Sequence, residues 1–187
     1  MASASPRRAE LLRAAGIEFD VMPANVDETV QPLETPEAYV RRVAEAKARA
    51  VEPRANGRPV IAADTVVVVG DAILGKPVDR DDAKRMLRLL SGRAHEVLTA
   101  VSHSRSQGSP TLETRLALTT VEIALLSETD IEWYVATGEP DDKAGAYAIQ
   151  GHASRFITRI AGSYSNVVGL PVAAVYDLCR QAGLLIS

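Results

Sequence analysis

Val60-Ile61-Ala62-Ala63-Asp64-Thr65-Val66-Val67-Val68-Val69-Gly70-Asp71-Ala72-Ile73-Leu74 decides how this chain folds. Small and β-branched residues run without polar alternation from Val60 to Val69, which fits a strand buried on both faces. Gly70-Asp71 supplies a tight turn, and Ala72 to Leu74 is the returning arm of a hairpin. On either side helical and strand signals alternate, as in an α/β protein. Thr35 caps a helix with Pro36 at its first position, running to about Val51, with Tyr39, Val43, Ala46 and Ala50 as its apolar stripe. Asp79 begins another, with Ala83, Met86, Leu87 and Leu90 inward and Gly92 as its stop. Ser127 opens a short helix to Ala136 with Asp130 as its capping-box partner. Glu18 to Met22, Glu96 to Val101 and Leu112 to Leu126 read as strands, the last with room for a bulge. Ser102 to Pro110 reads as an exposed loop.

One residue disturbs the opening stretch. Asp64 interrupts an otherwise apolar strand, and a buried carboxylate is costly unless it is paired, hydrogen-bonded or metal-bound. It either marks a solvated turn or bulge, or stands at a cleft to hold a divalent cation or accept a proton from water. Glu28, in Asp27-Glu28-Thr29, is either a solvated loop acid or a second carboxylate facing Asp64, completing a Mg2+ site with waters and substrate phosphates. Lys47 lies close to the apolar face of the Thr35 helix, where its ammonium either snorkels to solvent or reaches an anion. Lys76, in Leu74-Gly75-Lys76-Pro77 just after the hairpin, is a spare cation that reads by default as a turn lysine.

A second anomaly lies at the start, Ser3-Ala4-Ser5-Pro6-Arg7-Arg8. Ser5 suits an N-cap and Pro6 the first helical position, and Glu10 to Ala15 continues as helix until Gly16. Arg7 and Arg8 then occupy the first turn, the end of the helix that disfavours cations. An anion reverses that sign, so backbone N–H groups, a serine hydroxyl and two guanidinium forks make a phosphate cradle.

The 187 residues, 47% hydrophobic and 24% charged with a net charge of −3, describe an ordinary globular chain. The acidic balance argues against a general nucleic-acid binder but not against a small anionic ligand. The single Cys179 reads as a small buried apolar residue in a C-terminal helix, Pro171 to Gly183, and points to a reducing cytoplasm. No secretory signal and no membrane-spanning run is expected. The small-residue segment Gly138 to Gly151 permits close backbone approach to a ligand, and the Gln150 amide suits the edge of a pyrimidine. The three histidines, His95, His103 and His152, lack metal-ligand spacing and read as surface or loop residues. No Walker loop or Gly-x-Ser-x-Gly elbow is present.

Taken together, these motifs resemble the Maf family of nucleoside triphosphate pyrophosphatases over nearly the whole chain. The resemblance rests on Ser3 to Leu12, Ala62-Ala63-Asp64-Thr65-Val66-Val67, Gly75-Lys76-Pro77, Leu90-Ser91-Gly92-Arg93 with His95, Gly138 to Gly151, and Gly162-Ser163-Tyr164-Ser165-Asn166-Val167-Val168-Gly169-Leu170-Pro171. It implies one domain over residues 1–187, an α/β fold with a long twisted mixed sheet flanked by helices, and two lobes around a cleft, commonly as a homodimer. It implies cleavage between the α- and β-phosphates, with Asp64 as proton acceptor and Mg2+ or Mn2+ as the cofactor. Ser3, Arg7, Arg8, Lys47 and Lys76 match residues expected to hold phosphates, and Arg7, Thr65 and Gln150 match positions that set base specificity. Asp142 to Tyr147 with Ile149-Gln150-Gly151 is similar to the branch acting on dTTP and UTP. The alternatives are the 7-methyl-GTP branch and a nucleotide-binding regulator of septum formation without turnover. The chain departs from the family in beginning Met1-Ala2-Ser3, almost at the first motif. That implies either a start upstream or a shortened first strand with Ser3 poorly anchored.

Overall fold

The computed structural model describes residues 1–105 and 111–184. Helices α1 (Pro6–Ala14) and α2 (Pro36–Val51) precede the hairpin β1 (Val60–Val69) and β2 (Ala72–Leu74). Then follow α3 (Arg80–Leu90), β3 (Ala94–Arg105), β4 (Thr111–Ile123), α4 (Glu128–Ala136), three short 3-10 turns, β5 (Ile157–Ala161), α5 (Tyr164–Val168) and α6 (Val172–Gln181). The strands order as β2-β1-β3-β4-β5. β1 pairs antiparallel with β2, Val67 opposite Leu74, and β4 pairs antiparallel with β5, Thr120 opposite Ala161. The register of β4 shifts between Glu122 and Ile123, the irregularity its sequence left room for.

Local chemistry explains the helix boundaries. The Thr35 hydroxyl accepts a hydrogen bond from the Ala38 N–H, and the Asp79 carboxylate accepts one from Asp82. Ser127 and Asp130 form the reciprocal capping box. The inward face of α3 is the expected set, Ala83, Met86, Leu87 and Leu90. The stripe of α2 differs: Tyr39, Val40, Val43, Ala44, Lys47, Ala48 and Val51 are buried, whereas Ala50 is exposed.

Three other expectations are corrected. Residues 17–31 contain neither helix nor strand, so Glu18 to Met22 is not a ladder strand; Met22 N–H donates to the Met1 carbonyl at 3.0 Å. Ser102 to Arg105 is not loop but the end of β3, with Ser102 and Ser104 buried among its neighbours. The remainder of that expected loop, residues 106–110, lies outside the described residues. Ser3 is well seated: Ala2 N–H donates to the Ile61 carbonyl at 2.7 Å, beside β1, and both Ala2 and Ser3 are buried.

Contacts divide the chain into two units. The first comprises Met1–Thr65, Thr99–Ala117 and Gly169–Ser187, and the second Val66–Leu98 and Leu118–Val168. In the first unit the odd residues of β1 face one apolar cluster and the even residues another. Ile61 and Ala63 pack with Leu12, Leu170, Val175 and Leu178, and Cys179 is buried there. Val60 and Ala62 pack with Ala2, Ala48, Val51 and Ala55. This period-2 division fixes the neighbours of Asp64 and Thr65. In the second unit α3 and α4 cover a core containing Val67, Leu74, Val97, Val121, Tyr134 and Phe156. Among the described residues no helix is long and apolar enough to cross a membrane.

Candidate functional site

Asp64 lies within β1 and is 5% exposed, so it is no solvated turn. Its even position directs it to the α2 side of the strand, where Lys47 sits in the buried stripe of that helix. The Lys47 ammonium donates to Asp64 Oδ1 at 2.8 Å and lies 2.9 Å from Glu28 Oε1. The lysine therefore does not snorkel; it reaches an anion, and both candidate carboxylates converge on it. Burial pushes the Asp64 carboxyl above the ordinary carboxylate range, while Lys47 and then Arg8 oppose that rise and Glu28 adds to it.

The Glu28 segment has no regular structure, yet it is tied to α2. The Tyr39 hydroxyl donates to the Glu28 carbonyl at 2.9 Å, and Arg42 donates to the Thr29 carbonyl at 2.9 Å. Arg42 also forks onto Glu34 at 2.6 and 2.9 Å, which pulls the Glu34 carboxyl down to about 2. Glu28 itself keeps half its side chain in solvent.

On the other face of β1 the guanidinium of Arg8 gathers the chain around itself. Nε donates to the Gly169 carbonyl at 2.7 Å, Nη1 to the Ala63 carbonyl at 2.7 Å and to Ser3 Oγ at 3.3 Å, and Nη2 to Thr65 Oγ1 at 3.1 Å. Four of its five N–H bonds thus engage the protein's own oxygens. The Thr65 hydroxyl is engaged as well, 2.9 Å from Thr99 Oγ1 and 3.3 Å from the Gly169 carbonyl. Ser3 Oγ accepts from Ser5 N–H at 3.2 Å and from Arg8, which leaves its own proton to be donated elsewhere. Ser5 stands at the N-cap of α1, but its side chain makes no cap bond and the first turn holds no acid. The tip of α1 thus keeps its electropositive character for an anion.

The structure brings Glu28, Lys47 and Asp64 together, and separately Ser3, Arg8 and Thr65. The two groups sit on opposite faces of one strand segment, 63–65, and remain close enough for Asp64 and Glu28 to act on Arg8. Burial lowers the Arg8 pKa and those two acids counter the fall. Arg7 is partly buried at the tip of α1. Lys76 and Gln150 belong to the second unit, and both are exposed. There the Gly145 N–H donates to the Gly75 carbonyl at 3.0 Å, which ties the Gly138–Gly151 segment to the residue before Lys76. Gly145 has φ 69°, and a Cβ there would stand 2.9 Å from Val67 Cγ2. Glycine is required for both reasons.

Sequence reasoning placed all three histidines in surface or loop positions. His95 and His103 are in fact buried within β3. His95 Nε2 lies 2.7 Å from the Tyr147 hydroxyl, and burial lowers its pKa to about 4. Only His152 is exposed. The motif Ser91-Gly92-Arg93 with His95 signalled that this part of the chain mattered, but not that the ring points inward.

For a metal, Asp64 and Glu28 offer carboxylate oxygens, which here both engage the Lys47 ammonium, at 2.8 Å and 2.9 Å. Among the described residues no group of three or more His, Cys, Asp or Glu side chains is arranged to hold an ion. Carboxylate oxygens are the donor type that a hard divalent cation takes, with waters completing its shell.

A family model described as Maf-like protein matches residues 1–182. A dTTP/UTP pyrophosphatase of Anaeromyxobacter dehalogenans is 53% identical over 184 residues, 98% of this chain and 93% of that one. A dTTP/UTP pyrophosphatase of another Anaeromyxobacter species is 54% identical over 185 residues, covering 98% and 88%. A Geobacter dTTP/UTP pyrophosphatase is 49% identical over 186 residues, covering 99% and 95%. A solved nucleoside-triphosphatase / dITP/XTP pyrophosphatase of Mycobacterium abscessus overlays with a TM-score of 0.43 at 16% identity, over 98% of this chain and 95% of that one.

Proposed function

The chain belongs to the Maf-like protein family, and from that membership and the geometry around β1 we propose that it is a nucleoside triphosphate pyrophosphatase acting on dTTP and UTP. The observation that carries the reading is Asp64: a carboxylate inside an apolar strand, lifted in pKa by burial and held in place by Lys47. A base must accept a proton near neutral pH, and burial brings a carboxylate toward that range.

In the proposed reaction a water oxygen attacks the α-phosphorus in line and its proton passes to Asp64. The bond from the α-phosphorus to the bridging oxygen breaks, and pyrophosphate leaves with the electron pair. Ser3 donates its hydroxyl proton to a phosphate oxygen. Arg7, Lys47, Lys76 and the remaining N–H of Arg8 counter the negative charge. Arg8 serves mainly by fixing Ser3, Thr65 and Gly169 in register with one another. Thr65 acts through that network, and the exposed amide of Gln150 reads the base edge. A divalent cation such as Mg2+ or Mn2+, held by Asp64 and Glu28, would neutralise further charge when bound with substrate. The proposal extends to a homodimer working in the cytoplasm.

Pyrophosphate release from a panel of nucleoside triphosphates with Mg2+ or Mn2+ tests the reading. We expect turnover of dTTP and UTP, and a loss of about a thousandfold or more in kcat for Asp64→Asn with folding retained. Near-normal turnover by Asp64→Asn refutes the assignment of the base. Binding without turnover by the unaltered protein refutes the enzyme and favours a nucleotide-responsive regulator.

A further inference from the structure

The Gln150 side chain sits on a turn that is held from both ends. The Gly151 N–H donates to the Ala148 carbonyl at 3.2 Å, closing a four-residue turn with Gln150 at its third position. At the first residue of the turn, the Ala148 N–H donates to the Tyr134 hydroxyl at 3.1 Å. After it, the Glu139 carboxylate accepts from the His152 N–H at 2.8 Å, from His152 Nδ1 at 2.9 Å and from the Ala153 N–H at 3.3 Å. Tyr134 and Glu139 are themselves joined, the phenol donating to Glu139 Oε1 at 2.8 Å.

The linkage is built to be stiff. Tyr134 is fully buried on α4, and Glu139 keeps only 15% of its side chain exposed. Glu139 Oε2 lies 2.0 Å from where a Cβ on residue 151 would be, so the acid reaches this backbone only because residue 151 is glycine. The four hydrogen bonds hold the Glu139 carboxyl below the ordinary carboxylate range despite its burial. Gln150 is exposed, and among the described residues its amide makes no hydrogen bond to the protein.

We propose that Glu139 and Tyr134 are positioning residues for nucleobase recognition, a phenol–carboxylate clamp that presents the free amide of Gln150 in one orientation. The inference rests on the reading of Gln150 as the base-contacting residue. An amide that must satisfy both a donor and an acceptor on a base edge discriminates only if its own backbone is fixed. A mobile turn would let the amide adapt to either pyrimidine or swing away.

The test measures kcat and KM for dTTP, UTP and CTP in the unaltered protein, Glu139→Gln, Tyr134→Phe, Gln150→Ala and the double variant Glu139→Gln/Gln150→Ala. Amide exchange at residues 148–153 is followed in parallel. Glu139→Gln keeps the shape but turns an NH2 group toward backbone donors. We expect exchange there to quicken and the preference for dTTP over CTP in kcat/KM to fall roughly tenfold, mostly through KM. Tyr134→Phe should do the same to a smaller degree. In the Gln150→Ala background Glu139→Gln should cause no further loss of preference, because it acts through the residue already removed. A folded Glu139→Gln with unchanged preference overturns the proposal, as does a fully additive double variant. A protein that neither binds nor turns over any nucleoside triphosphate refutes the proposed function instead, which separates the two failures.

Discussion

Replacing Lys47 by Met leaves Asp64 without the ammonium 2.8 Å from Oδ1, in a stripe that is otherwise apolar. The consequence divides unequally between its partners. Glu28 has half its side chain in water and loses little. The Asp64 side chain is only 7% exposed and keeps only Arg8 as a counter-charge, without its directly bonded partner; removing one partner of a buried pair costs about 3–5 kcal/mol. The protein can reduce that cost by protonating Asp64. In the unfolded chain the carboxyl has lost its proton above its ordinary value of 3.8, whereas in the fold burial raises the pKa and Lys47 holds the rise back. Without Lys47 the folded pKa rises further. Between the two folded values the variant retains a proton that the unaltered protein has released. Its deficit in stability therefore widens as pH increases, by at most about 1.4 kcal/mol per pH unit, and narrows toward acid. Urea unfolding of both proteins from pH 3.5, below the ordinary value of 3.8, to pH 8.5 measures this directly. The double variant Lys47→Met/Asp64→Asn removes the charge with its partner and should recover most of the loss at pH 8.5. A deficit that is constant across the range, or one that the double variant does not relieve, refutes the ion-pair account of this site.

Other substitutions probe the remaining parts of the structure. Arg8→Lys replaces a fork with a point charge that cannot reach Gly169, Ala63 and Thr65 together, so urea unfolding should show a loss of about 2–4 kcal/mol; a change under about 0.5 kcal/mol would argue that these bonds are not made. His95 should confer an acid-sensitive stability. Its folded pKa near 4 lies below the ordinary 6.5, so its contribution is complete above pH 6.5 and falls as pH drops toward 4. Unfolding free energy attributable to His95 should be about 2 kcal/mol lower at pH 5 than at pH 7.5, and His95→Gln should abolish that slope. Gly145→Ala places a methyl group 2.9 Å from Val67 at φ 69°, and calorimetry should find it destabilised by about 1–3 kcal/mol.

What the sequence disclosed follows from how local each signal is. The hairpin Val60 to Leu74, the Thr35 cap and the Ser127–Asp130 box are settled within a few residues, and the structure has them where the chain says. Ser102 to Ser104 carries loop-like residues yet is buried in β3, because the strand's place in the sheet outweighs its composition. The inward turn of Arg8 depends on partners 55, 57 and 161 residues away, and no local pattern reports them. The clamp on the Gln150 turn was equally hidden. Its one sequence trace is Gly151, whose missing Cβ makes room for a carboxylate twelve residues earlier.

Lys47 and Asp64 show a more useful route from sequence to site. Each was anomalous alone: a cation in a helical stripe that repeats every 3.6 residues, and an acid in a strand whose faces repeat every two. Neither period says what the residue touches. Burying either charge alone is prohibitive, however, and a small domain has few ways to satisfy it. Two anomalies of opposite sign, on a stripe and a strand that both seek the same core, resolve each other if the stripe packs on the even face of β1. That packing is found, with Ala48 and Val51 of α2 against Val60 and Ala62. The pair then fixes the helix to the strand in one register, since a slip of one residue in β1 would present Thr65 to Lys47 in place of the acid.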